Sequence, residues 1–459
     1  MSTLPNVNGI GPNLYYPYSV DVDSSGNVYI SEPNGSRIVK FTLASPCPSG
    51  TSQVVYGTKV VTGVCFATEW SSKYPNGVAV DSSGNVYVAE YPRIFNIQKY
   101  TKNGNPILGW GSTGSNIGQF WFHDGVAVDS SGDVYVADGG NDRIQKFKLS
   151  NPCPAGTTQV NTGVCFVIEW SKKGPLNGEL RKPVDVAVDS SGDVYVAESG
   201  NNRIQKFKLA NPCPAGTTQV QSNPVGGVCF VTLWGALGRV SGAFSTPSGV
   251  AVDSSGNIFV ADTYNHRIQK FKLANTCPAG ANQILSGVCF ITKWGSYGPL
   301  HGQFISPSSI DVDSSGNVYV ADTGNHRVEK FTNTGTYLLT IPKPFLKVFS
   351  PEVAVTQECV MNFLGIDSYS YTIGPKKRLG ANTFYFDPWT QDMAIVVDGI
   401  EVSYGKNLAI GGVAPYPPWF GLGSHTVLMF VETYGNPTYN HRLDPGELSA
   451  RTTFTTKSC

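Results

Sequence analysis

The chain has 459 residues, of which 33 are Lys or Arg and 33 are Asp or Glu, so its formal charge is zero and only 14% of it is charged. That balance excludes an electrostatic nucleic-acid binder, which needs a basic face to neutralise phosphates. The length exceeds what one compact core holds and predicts a large array plus an extra domain.

Glycine (51) and aromatics (12%) suit many short strands joined by tight turns. The longest apolar run, "TVLMFV" from Thr426, is strand-length and far short of a membrane helix. The first twenty residues lack the basic and apolar regions of a secretory signal. Residues 1–18 instead read as an extended arm, because Pro5, Pro12 and Pro17 disfavour a helix. Leu4, Val7 and Ile10, with Tyr15 and Tyr16, make it too apolar for a solvated tail.

From residue 19 a sentence repeats. "VAVDSSGDVYVADGGNDRIQKF" (126–147) recurs with small changes from Val186 and Val250. The Asp before "SSG" falls at 23, 81, 129, 189, 253 and 313, six copies spaced 58, 48, 60, 64 and 60 residues apart. Such a period signals a solenoid, an array or a propeller. Each copy holds short runs of Val, Ile, Tyr, Phe and Trp with strand periodicity. "DSSGN" or "DSSGD" supplies the hairpin turn between the first two. The expected unit is a four-stranded antiparallel meander, and six of them packed radially bury both faces of each sheet.

These residues, with lead-ins such as Gly302-Gln303-Phe304 and Pro307, resemble NHL-repeat proteins over residues 19 to about 344. The resemblance implies a six-bladed β-propeller. The second copy departs from the pattern: "AEYPRIFNIQKY" carries Arg93 out of register, so blade 2 is expected to be irregular. The last copy ends in "GTYLLTIP", which reads as its own fourth strand. Every blade is then complete in chain order, and the arm is expected to be free of ring closure.

The ten cysteines speak to the compartment. Cys47 and Cys65, Cys153 and Cys165, Cys213 and Cys229, and Cys277 and Cys289 lie between the third and fourth strands of four copies; copies 2 and 6 have none there. Cysteine thus comes and goes in pairs within one hairpin, which predicts local disulfides. Clustered Cys-x-x-Cys spacing for zinc is absent. Cys359 and Cys459 bracket the C-terminal region and are expected to pair. Ten paired cysteines predict an oxidising, extracellular or cell-surface location. Asn34 heads the one glycosylation sequon.

An acid stands nine residues after each marker Asp: Glu32, Glu90, Asp138, Glu198, Asp262 and Asp322, and in five copies an Arg follows five residues on (Arg37, Arg143, Arg203, Arg267, Arg327). A carboxylate ring around the channel would suit a cation such as Ca²⁺. A repeated acid–Arg contact that fixes the loop between strands two and three is the preferred expectation, since repetition in every blade argues structure. The family resemblance also implies that some relatives are metal-dependent lyases with several His at the channel mouth. Here His266 and His326 belong to the repeat, which leaves His123 and His301, in lead-in loops, as residual candidates. No Ser-His-Asp or Cys-His set is apparent, and the expectation is no catalytic residue, no metal and no cofactor.

After "IPKPFLKVFSPE" the repeat stops, and residues 345–459 show strand-like runs with an Asp398-Gly399 hairpin signal. They predict a small β-sandwich of immunoglobulin-like texture. Its loop "GGVAPYPPWFGLG" offers Tyr416, Trp419 and Phe420 on a proline-stiffened frame. The expected architecture is all-β: arm (1–18), six-bladed propeller (19–344) and sandwich (345–459). The expected function is a non-catalytic extracellular structural or interaction protein, a self-associating surface or filament subunit. Its partners are other copies of itself or another surface protein, with no nucleic acid and no transmembrane segment. Leu4, Val7, Ile10, Tyr416, Trp419 and Phe420 are its candidate interface. The alternative is a secreted propeller enzyme or small-ligand binder acting at the channel mouth.

Overall fold

A computed structural model of the chain describes residues 14–341 apart from short stretches at 57–58, 91–95, 171–172 and 224–225, and gives only backbone strands within 342–459. Residues 1–345 and 346–459 form separate compact units.

The first unit is a closed ring of six antiparallel sheets. The first strands of the six copies, Ser19–Val22, Pro75–Val80, His123–Val128, Pro183–Val188, Pro247–Val252 and Pro307–Val312, pack against one another in that order, and the last returns to the first. They are the innermost strands and wall an axial channel.

The turn chemistry explains the repeat. In each "DSSG" the marker Asp accepts backbone N–H groups two and four residues on, as Asp129 does from Ser131 (2.9 Å) and Asp133 (3.0 Å). Its second oxygen accepts the hydroxyl of the second-strand tyrosine, Tyr135, at 3.1 Å. That ring carries the ammonium of Lys146 at 4.9 Å from its centroid, a cation–π contact repeated in all six blades. Blade 5 has Phe259 at this position, so its marker Asp253 lacks the hydroxyl partner.

The blades adhere through aromatic residues. Each fourth strand ends in a Trp that packs on the third-strand aromatic of the next blade. Trp110 meets Phe147 at 5.7 Å, Trp170 meets Phe207 at 5.8 Å and Trp234 meets Phe271 at 5.6 Å between ring centroids. At the seam from blade 6 to blade 1, Ile341 takes the place of Trp.

Two expectations change. First, the cysteine-bearing blades are not four-stranded meanders. Blades 1, 3, 4 and 5 have five strands, the extra one (Ser52–Tyr56, Thr158–Asn161, Thr218–Asn223, Asn282–Leu285) folding back outside the fourth. The long cysteine hairpin has enough chain to pair with itself, whereas blades 2 and 6 turn directly at 101–105 and 332–336 and keep four strands.

Second, the arm is not free from residue 14 onward. Every blade is complete in chain order, yet Leu14 is fully buried in the cluster that joins blade 6 to blade 1, beside Val328 and Ile341. It takes the position that Phe120, Leu180, Phe244 and Phe304 hold in other lead-ins. Tyr15 donates its N–H to Glu32 (2.6 Å), Tyr16 to His326 Nδ1 (3.0 Å), and Thr323 Oγ1 donates to the Pro17 carbonyl (2.7 Å). "LYYP" is thus the lead-in of blade 1. Leu4, Val7 and Ile10 lie outside the described residues.

In the second unit, Val353–Met361, Asp367–Pro375 and Val413–Ala414 form one antiparallel sheet. Ile400–Lys406, Asp392–Val397, Ser424–Glu432 and Leu448–Thr455 form another, in that order. Asp392–Val397 and Ile400–Lys406 pair antiparallel, while Asp398 and Gly399 lie outside the described residues. The side chains on which sandwich packing turns, and Tyr416, Trp419 and Phe420, lie outside the described residues.

Candidate functional site

The repeated acids do not line the channel. Each ends the second strand and holds the lead-in loop of its own blade. The backbone N–H one residue past the buried lead-in position donates to it: Tyr15 to Glu32, Trp121 to Asp138 (2.7 Å), Arg181 to Glu198 (2.9 Å), Ser245 to Asp262 (2.7 Å) and Ile305 to Asp322 (2.8 Å). The paired Arg closes the network. Arg143 Nε donates to Asp138 at 2.8 Å, and its terminal nitrogens donate to the carbonyls of Ser115, Asn116 and Gln119. Arg203, Arg267 and Arg327 repeat this, and Arg37 pairs with Glu32. In blade 2, where Arg93 is out of register, the Tyr100 hydroxyl (2.9 Å), Ser72 Oγ (2.8 Å) and Lys73 N–H (3.3 Å) serve Glu90 instead. The network is spent on holding loops.

The two repeat histidines also act structurally. Each adopts a left-handed backbone at the end of a short turn, and its Nδ1 accepts an N–H from the next blade's lead-in: His266 from Ser306 (3.1 Å) and His326 from Tyr16. Asp142 and Asn202 do the same for Lys182 and Thr246. His301 stands at the outer rim of blade 6, stacked on Tyr337 at 4.3 Å and against Glu329 at 3.1 Å, away from the channel mouth. The backbone of His123 begins the first strand of blade 3; its side chain lies outside the described residues.

The structure brings together a different set, absent from the sequence-based candidates. Asp21, Asp124, Asp185 and Asp311 stand on the innermost strands, where sister copies carry Ala, Gly, Ser, Asn, Val or Tyr. All four bond a neighbouring blade, three of them through a backbone N–H. Asp311 accepts the Val22 N–H (2.7 Å), Asp21 that of Val80 (3.2 Å) and Asp185 that of Val250 (2.9 Å). Asp124 accepts Asn76 Nδ2 at 3.1 Å.

These four keep slight exposure to the channel but are walled in by protein, and that burial raises all four carboxyls: Asp124 and Asp311 to about 6 and Asp185 to about 7. Asp21 is pushed up by burial and then by the Asp311 charge. Asp124 also acts on Tyr18, raising its hydroxyl together with burial and Asp185. Tyr18, beside the first strand of blade 1, is thus within electrostatic reach of acids of blades 3 and 4. Lys182 offsets the burial of Asp124. Gly77, Gly125 and Gly249 let the inner strands approach closely, since a Cβ at Gly77 would lie 2.2 Å from the Asp124 carbonyl. Among the described residues no group of three or more His, Cys, Asp or Glu is disposed to hold a metal.

Four disulfides staple the outer hairpins: Cys47–Cys65, Cys153–Cys165, Cys213–Cys229 and Cys277–Cys289. The Cys359 side chain and Cys459 lie outside the described residues. Asn34 is exposed on the turn between the second and third strands of blade 1.

A family model for the NHL repeat matches residues 124–147, 180–207, 244–271 and 304–331, and one for a β-propeller repeat matches 66–89. The chain is 31% identical over 140 residues to human E3 ubiquitin-protein ligase TRIM32, covering 30% of this chain and 20% of that protein. It is 28% identical over 262 residues to peptidyl-alpha-hydroxyglycine alpha-amidating lyase 1 of Drosophila melanogaster, covering 44% of this chain and 47% of that protein. The chain therefore spans a fifth to about half of these relatives. Among solved structures, a streptogramin B lyase aligns over 80% of this chain and 92% of its own, at 12% identity and a TM-score of 0.44. The virginiamycin B lyase of Staphylococcus aureus aligns over 79% and 94%, at 13% identity and a TM-score of 0.41. With six repeating sheets closed in a ring and the repeat signature matched in four of them, the first unit of this chain is a six-bladed β-propeller built of NHL repeats.

Proposed function

We propose that the chain is a non-catalytic extracellular interaction protein: a disulfide-stapled propeller that docks through one face, with further copies of itself as partner and a surface layer or filament as product. One observation carries this. Of the thirteen large apolar side chains exposed among the described residues, only Ile107, Leu285 and Leu338 lie on outer strands. The other ten stand on the lead-in loops and second-to-third-strand turns of a single propeller face, Trp121, Phe122, Leu237, Val240 and Tyr264 among them. Apolar clustering of this kind marks interaction surfaces. The four disulfides suit an oxidising compartment, and no described helix is long and apolar enough to cross a membrane. The arm residues Leu4, Val7 and Ile10 and the loop residues Tyr416, Trp419 and Phe420 are the proposed docking elements, and nucleic acid has no part in this reading. Sedimentation velocity over a wide concentration range tests it. Association should appear in the native chain and weaken in a Leu237→Lys, Val240→Glu variant; a chain monomeric at every concentration sinks the reading.

A second reading places a small-ligand or catalytic site at the channel mouth. The observation favouring it is the asymmetry of Tyr18, Asp124 and Asp185, with carboxyls perturbed toward neutrality. The likeness to an amidating lyase supports the same direction. A ligand that shifts Tyr18 resonances in the native chain but not in Asp124→Asn would decide for it.

A further inference from the structure

The seam between blades 2 and 3 departs from the other five. One residue before the end of the fourth strand, the other blades carry Glu69, Glu169, Leu233, Lys293 and Thr340; blade 2 carries Gly109. In blades 1 and 3 that glutamate binds the repeat arginine, Arg37 and Arg143 respectively, at 2.7 Å. Blade 2 has lost both the arginine's register and its glutamate. A cleft of about 520 Å³ opens there, lined by Gln98, the segment 109–112, the lead-in residues 117–119 and the fifth strand of blade 3 at 158–161. Its volume falls within the range of roughly 300–1,000 Å³ usual for small-molecule sites.

The lining chemistry is specific. No charged side chain contributes. Four side-chain amides (Gln98, Gln119, Gln159, Asn161) and the hydroxyls of Ser112 and Thr158 do, beside the apolar Trp110, Ile117 and Val160. Two of the amides are already oriented: Asn161 Nδ2 donates to the Gly109 carbonyl at 2.6 Å, and Gln119 Nε2 to Ser112 Oγ at 3.3 Å. Gln98 is set apart from its counterparts. Gln145, Gln205 and Gln269 accept the N–H of Gly118, Gly178 and Gly242 in their own lead-in loops. The lead-in of blade 2 is only residues 72–74, too short to reach its glutamine.

We propose that this cleft binds a neutral polyhydroxylated ligand, a saccharide unit. A side-chain amide both donates and accepts, which matches a sugar hydroxyl that does the same. An apolar ligand would cover Gln98, Gln159 and Thr158 without pairing them, and an anionic one would find no cation. The site sits where the repeat breaks, at the blade that carries Gly in this strand position.

The test is calorimetric titration and saturation-transfer NMR of the full chain with maltotriose, cellotriose and chitotriose, and with glucose 6-phosphate as the charged comparison. At least one neutral trisaccharide should bind, and at least about tenfold more tightly than the phosphate. Gly109→Glu restores the residue of blades 1 and 3 and fills the cleft. Since a Cβ at Gly109 would lie 2.3 Å from the Gln98 amide, it is combined with Gln98→Ala. The double variant should lose at least about tenfold in affinity with its melting temperature preserved. If that variant folds poorly, Gln98→Ala alone carries the decision. No binding of any of the three at 10 mM (on the order of −3 kcal/mol), or unchanged affinity in the folded variant, overturns the proposal.

Discussion

The Asp185 carboxyl of blade 4 accepts the Val250 N–H of blade 5 at 2.9 Å inside the channel wall, and burial raises that carboxyl to about 7. An acid raised above its ordinary 3.8 binds its proton more tightly when folded. Its contribution is therefore fully favourable below about pH 4 and is lost as pH rises toward 7. Asp124 and Asp311, at about 6, act in the same direction over a narrower window.

Asp185→Asn keeps an oxygen for Val250 and removes the titration. The native chain should lose about 1–3 kcal/mol more stability than the variant between pH 4.5 and 7.5, as one pKa unit is about 1.4 kcal/mol and channel water reduces the full effect. Denaturant unfolding at the two pH values measures it. Parallel pH dependence in both chains would show Asp185 to be ionised at ordinary cost.

The acid–Arg network predicts a contrast between blades. Asp262→Ala leaves a buried Arg267 without its carboxylate, and should cost about 3–5 kcal/mol. Glu90→Ala strands no cation, only the Tyr100 and Ser72 hydroxyls and the Lys73 N–H, and should cost about 1–3 kcal/mol. Equal losses in urea unfolding would mean that the arginine's charge is not the issue.

Why was the fold legible and the channel not? "DSSG", the second-strand Tyr and the Lys above it recur because every blade needs the same turn and the same contact with its neighbour. Repetition reports structure. Asp21, Asp124, Asp185 and Asp311 are places where copies differ, and so is Gly109; a reading that follows what recurs passes over them. The fifth strands escaped for another reason. Thr158–Asn161 is four residues inside a cysteine loop, too short for period-two alternation to register. The lead-in at Leu14 was hidden because Leu replaces Phe, while its partners Val328 and Ile341 lie more than 300 residues away.

The disulfides make a blade-by-blade prediction. Peptide mapping without reduction should recover the four pairs within blades 1, 3, 4 and 5, and a Cys359–Cys459 pair besides. Replacing Cys213 and Cys229 by Ser should cost about 3 kcal/mol, as expected for a closed loop of this length. Links between different blades, or free thiols, would contradict the hairpin logic.

The last prediction separates the two parts of the N-terminal arm. Leu14 is fully buried between blades 6 and 1, and Tyr15 and Tyr16 bond Glu32 and His326. Deleting residues 1–16 should therefore open the seam and cost at least about 2–5 kcal/mol, the usual loss for emptying a buried leucine site. Deleting residues 1–13 removes Leu4, Val7 and Ile10 but spares every one of these contacts. That shorter deletion should leave the melting temperature unchanged while weakening association between copies, as should Trp419→Ala. The comparison is decisive because both chains lack the same apolar residues and differ only in the seam. If the shorter deletion melts as early as the longer one, residues before Leu14 belong to the propeller's own structure. If it melts normally and associates as the native chain does, the arm has no part in assembly.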